Sequence, residues 1–155
     1  MQESIWADGC PKNVDEKMKI NIQELLMMGI DFLIKKYAIP NGFKIEQTNA
    51  KLNMLPNVIM KRDGVVYAVV VVPFVFPKYG MLTDGARISM VKTLREQNVI
   101  PLFAPVGFTS IDKERAKAEM ALKGDVFNIM FRGFIELNDE EHQNLAGDIK
   151  LFKML

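Results

Sequence analysis

Three features of the sequence predict an α/β fold with a central mixed sheet flanked by helices. Segments with a helical repeat alternate along the chain with short strand-like runs. Two apolar runs flank Asp63-Gly64, a pair suited to the two positive φ angles of a tight hairpin. The second run, Val65 to Phe74, is apolar on both faces, as a strand covered on both sides must be. That strand is expected at the middle of the sheet.

The predicted order is helix, three strands, helix, strand, helix, strand. Residues 1 to 13 read as a leader, since Gly9, Pro11 and Asn13 interrupt any period. The first helix is expected to start near Asn13 or Asp15 and to run to Tyr37. Ile20, Ile22, Leu25, Leu26, Ile30, Leu33 and Ile34 recur at helical spacing, and Pro40 lies beyond. Gly29 in its middle is expected to mark close packing. Phe43 to Leu52 alternates as a half-exposed strand, and Asn57 to Arg62 and Val65 to Phe74 form the hairpin.

Thr83 or Asp84 is expected to cap a second helix reaching Gln97, with Ile88, Val91, Lys92, Leu94 and Arg95 on its amphipathic face. Val99 to Val106 is a fourth strand. Ser110 or Asp112 opens a third helix that Gly124 ends. Val126 to Leu137 is a fifth strand with a bulge at Gly133. Residues 138–155 form a peripheral C-terminal segment, and the whole chain reads as one domain.

Composition narrows the function. The 155 residues, 49% of them hydrophobic, supply one sizeable core. Lys plus Arg total 20 against 19 for Asp plus Glu, which does not favour a broad phosphate-binding surface. Cys10 is the single cysteine, so a reducing, cytoplasmic setting is expected. The longest apolar stretch, Val65 to Phe76, is too short for a membrane helix, and no membrane partner is expected. Eleven methionines read as flexible core filling.

The succession helix, three strands, helix, strand over Lys17 to Val106 resembles the core of the restriction-endonuclease-like PD-(D/E)XK nuclease superfamily. That resemblance implies an acid at the start of the second strand and an acid-x-lysine on the third, holding a divalent cation against a phosphate. Here the first position is Asn57, after Pro56. Counting outward from the Asp63-Gly64 turn sets Asn57 opposite Val70, so the acid-x-lysine slot is Val70-Val71-Val72. Valine offers a cation no oxygen. The resemblance therefore implies a degenerate site, with neither metal nor other cofactor expected. A rescued site, the alternative, would recruit Glu24, Glu46 or Lys92 and use Mg²⁺ or Mn²⁺.

Other chemistries find little support. His142 lies in a polar segment far in sequence from Cys10, and no nucleophile, histidine and acid constellation is visible. No glycine pattern matches a phosphate-binding loop. Phe103 to Phe108 reads as a rigid strand exit rather than a ligand-binding bend. Lys113, Arg115, Lys117 and Lys123 interleave with acids, as on a solvated helix face. Phe74, Phe76 and Tyr79 in the proline-bounded exit from the central strand are candidate interface residues. The expected function is non-catalytic association with the chain itself or another protein. The alternative is a metal-dependent nuclease or nucleic-acid-binding protein with migrated acids.

Overall fold

The computed structural model describes residues 20–51, 55–75, 84–111, 122–123 and 126–140. Helix α1 spans Ile22–Leu33. It begins later than Asn13 or Asp15, because Asn21 is extended and its Oδ1 accepts the Glu24 N–H at 2.8 Å, which caps the first turn. A π-helical segment, Ile34–Ala38, and a short 3₁₀ turn, Ile39–Asn41, carry the chain into β1, Lys44–Thr48. The hairpin follows as β2, Val58–Arg62, and β3, Val65–Val75. Helix α2 is Asp84–Glu96, and β4 runs from Val99 to Ser110. The last strands are β5, Phe127–Met130, and β6, Ile135–Glu136.

The sheet is mixed, in the order β1-β2-β3-β4-β5, with β6 also paired to β4. Strands β1, β2 and β3 form an antiparallel meander, and β3 lies parallel to β4. Arg62 faces Val65 across a turn whose residues have φ of 52° at Asp63 and 79° at Gly64, as the sequence predicts. Strand β3 is the middle strand of the path. Strands β5 and β6 share one edge of β4, joined by a bulge at which Gly133 has a φ of 123° that only glycine adopts readily.

Strand β4 continues past Val106, so Phe103 to Phe108 is neither an exit nor a bend. Its prolines fit because of where the missing donors would point. In an extended strand the backbone N–H and C=O of one residue face the same edge, and the edge alternates along the chain. Leu137 N–H donates to the Pro101 carbonyl, so Pro101 and Pro105 both face the β5–β6 edge. Pro105 falls there opposite the bulge, where no ladder bond is lost.

Alternation places two cores on the two sheet faces. Tyr67, Val69 and Val71 of β3, with Leu102, Ala104, Val106 and Phe108 of β4, pack with Leu25, Leu26, Ile30 and Leu33 of α1. Gly29 lets α1 approach: a Cβ built there would sit 3.6 Å from both Val71 and Val106. On the opposite face Phe103, Ile135 and Leu137 pack with Val91 of α2, against which Val72 also rests. A row of rings, Phe32, Tyr37, Phe131, Phe134, Phe43 and Tyr67, ties the π-helical segment to the bulge and to β3.

Phe74 is buried, which corrects its expected place at an interface: β3 extends through it, and its ring lies over Gly107 of β4. A Cβ at Gly107 would stand 2.8 Å from Phe74 Cε2 and Cζ. Gly107→Ala is therefore expected to destabilise the fold by about 1–3 kcal/mol in chemical denaturation, and Phe74→Leu in the same chain to recover part of that loss.

Candidate functional site

Asn57 stands where the resemblance calls for the first acid, and every hydrogen-bonding group it has is engaged. It is 1% exposed. Its N–H donates to the Val69 carbonyl at 2.8 Å, and its carbonyl accepts the Asn49 N–H at 2.7 Å. Its side-chain Nδ2 donates to the Asn49 carbonyl at 3.0 Å, and Oδ1 accepts the Val71 N–H at 2.8 Å. The position uses the amide once as a donor, through Nδ2, and once as an acceptor, through Oδ1; a carboxylate would set a second acceptor against the Asn49 carbonyl.

The position has a clear backbone task. Odd residues of β3 turn their N–H groups toward β2, and β2 proper ends at Val58. Asn57 serves the next two groups, the Val69 carbonyl through its backbone and the Val71 N–H through its side chain. The following N–H position on that edge belongs to Pro73, which has no donor to satisfy. The ladder therefore closes without an orphaned donor at this end.

Val70 and Val72 point to the α2 face. Val70 is fully buried, and Val72 packs against the Phe103, Ile135, Leu137 and Val91 cluster. The motif slot is thus filled with hydrocarbon. The recruited candidates do not converge on it. Glu24 belongs to α1, on the other face of the sheet, and its carboxylate lies 3.7 Å from Lys123 Nζ. Lys92 is exposed on α2, and Glu46 is exposed on the edge strand β1 at an irregularity in its pairing with β2. Among the described residues no group of three His, Cys, Asp or Glu side chains is placed to hold a metal ion.

One charged cluster escaped the sequence reading. Arg87 of α2 is fully buried. Its Nη2 donates to Asp84 Oδ1 at 3.1 Å and to the Glu140 carbonyl at 2.5 Å, and its Nη1 donates to the Asn138 carbonyl. Arg95, two turns on, reaches Glu136 Oε1 at 3.2 Å and the Leu137 carbonyl at 3.0 Å. The inward stripe of α2 is therefore Arg87 and Val91, and Lys92 and Arg95 lie outside it. The spacing of Asp84 and Arg87, one turn apart at the helix start, was the available signal. The two arginines hold the segment leaving β6 onto α2, which is a structural task, since a buried guanidinium is stable only when carbonyls and carboxylates surround it.

Phe76, Tyr79, Cys10, His142, Lys113, Arg115, Lys117 and the expected third helix lie outside the described residues. Lys123 is described and pairs with Glu24.

Two substitutions test these assignments. Asn57→Asp is expected to lower unfolding free energy by about 1–3 kcal/mol, because it removes a donor and buries a charge. Arg87→Ala is expected to cost about 2–5 kcal/mol, since it opens a cavity and strips the Asn138 and Glu140 carbonyls of their donor. Equilibrium urea denaturation reads both.

Comparison with known proteins adds one relation. No curated protein and no solved structure matches the chain. A family model does, over residues 23–137, from the first turn of α1 to the residue after β6. The chain belongs to the family described as a domain of unknown function, DUF8840.

Proposed function

We propose that this chain is a non-catalytic cytoplasmic protein built on a degenerate restriction-endonuclease-like core, acting by association with itself or with another protein. The succession of α1, the antiparallel β1 to β3, α2 and a β4 parallel to β3 supports the likeness to that core. The observation that carries the functional reading is Asn57: the group that would hold a cation is spent instead on the Val71 N–H and the Asn49 carbonyl. Val70 and Val72, packed in hydrocarbon, offer no oxygen in its place. A single cysteine agrees with a reducing compartment.

The alternative, a metal-dependent nuclease with acids recruited from elsewhere, is disfavoured by the separation of Glu24 and Lys92 onto opposite faces of the sheet. Calorimetric titration of Mn²⁺ into the protein, with Glu24→Gln in parallel, decides between them. The expected result is no saturable heat from either protein. Saturable binding that the variant loses, accompanied by Mn²⁺-dependent cleavage of DNA or RNA, would overturn the proposal.

A further inference from the structure

Lys44 of β1 and Lys61 of β2 are direct cross-strand partners. Their neighbours Ile45 and Met60 face the α1 core, so alternation sends both lysines to the opposite face of the sheet. Side chains so paired leave the backbone about 5 Å apart, and like charges there repel. Both lysines are exposed, and among the described residues neither forms an ion pair. Glu46, the nearest acid along β1, is also exposed and makes no ion pair with either lysine. A lysine on the edge strand discourages edge-to-edge pairing, but that accounts for Lys44 alone, because β2 is an inner strand.

The same face carries Ile59 and Val66, both half-buried, with Gln47 exposed beside them. Among the described residues helix α2 packs chiefly against β4. A small apolar centre bordered by uncompensated positive charge matches the anatomy of a protein interface. A nucleic-acid footprint calls for many cations along a track, and the net charge here is only +1.

We infer that the outer face of the β1–β2 pair is a docking surface for an acidic segment of a partner protein, with Lys44 and Lys61 as its charged contacts. This rests on the reading of the chain as an association protein. The occupant places carboxylates between the two ammonium groups, which turns a repulsive pair into an attractive triad and makes binding sensitive to salt.

The test is fluorescence anisotropy with labelled poly-L-glutamate at low ionic strength. It compares the intact chain, the double variant Lys44→Glu/Lys61→Glu, and the charge-matched variant Lys36→Glu/Arg132→Glu, with circular dichroism confirming the fold of each. The expected result is saturable binding, weakened about tenfold or more by the first variant and little by the second. Equal losses in both variants, no binding, or preferential binding of a single-stranded DNA oligonucleotide that the first variant abolishes would each overturn the inference. The Mn²⁺ titration separates the two claims. A silent titration without polyglutamate binding removes this surface alone, whereas saturable Mn²⁺ binding that Glu24→Gln loses, with Mn²⁺-dependent cleavage, removes the association reading itself.

Discussion

The parallel pairing of β3 with β4 is the constraint on which the rest of the structure depends. The two strands run together from Val66 opposite Val99 to Val75 opposite Phe108, with one face under α1 and the other toward α2. Backbone groups buried this way have no access to water, so every N–H and C=O along the pair must find a partner in the chain. A parallel pair also requires a crossover between its strands, and α2 lies on that crossover. Helix placement, strand order and the division into two cores follow from these requirements.

The ends of the pair show how strictly they are met. On the β2 side, Asn57 satisfies Val71 after β2 has ended, and Pro73 removes the next donor. On the far side, β5 and β6 cover β4 in two pieces, and Pro105 stands opposite the bulge between them. The segment after β6 is fastened by Arg87 and Arg95, which carry positive charge from α2 to the carbonyls of Leu137, Asn138 and Glu140. These polar side chains complete the hydrogen bonding of backbone groups that the sheet itself leaves unpaired. This is the physical ground for reading the hairpin as a core.

Much of this was legible in the sequence where local chemistry and tertiary need agree. Asp63-Gly64 specified the turn, and the turn specified the register from Arg62 opposite Val65 to Val58 opposite Val69, next to which Asn57 bonds Val69 and Val71. Gly133 marked the bulge for the same reason, since few other residues tolerate its φ. Strand β4 was read too short because Pro105 and Gly107 normally interrupt strands. Only the three-dimensional pairing reveals that Pro105 meets no ladder bond on the β5–β6 edge and that Gly107 makes room for the Phe74 ring. Arg87 was missed because arginine on a helix is ordinarily solvated, and its carbonyl acceptors, at Asn138 and Glu140, lie more than fifty residues away in the chain. Phe74 was read as an exit residue for a related reason: Pro73 suggested an end to β3 that the Asn57 cap makes unnecessary.

Native-state hydrogen exchange tests the central claim most directly, because it reports the opening free energy of each backbone amide. Amides of β3 and β4, including Val71, are expected to exchange only through global unfolding, while those of β1 exchange through smaller openings. Exchange of the Val71 amide through a local opening, at a free energy well below that of β4, would contradict it. The hairpin would then be a yielding element rather than the closed core on which the fold is built.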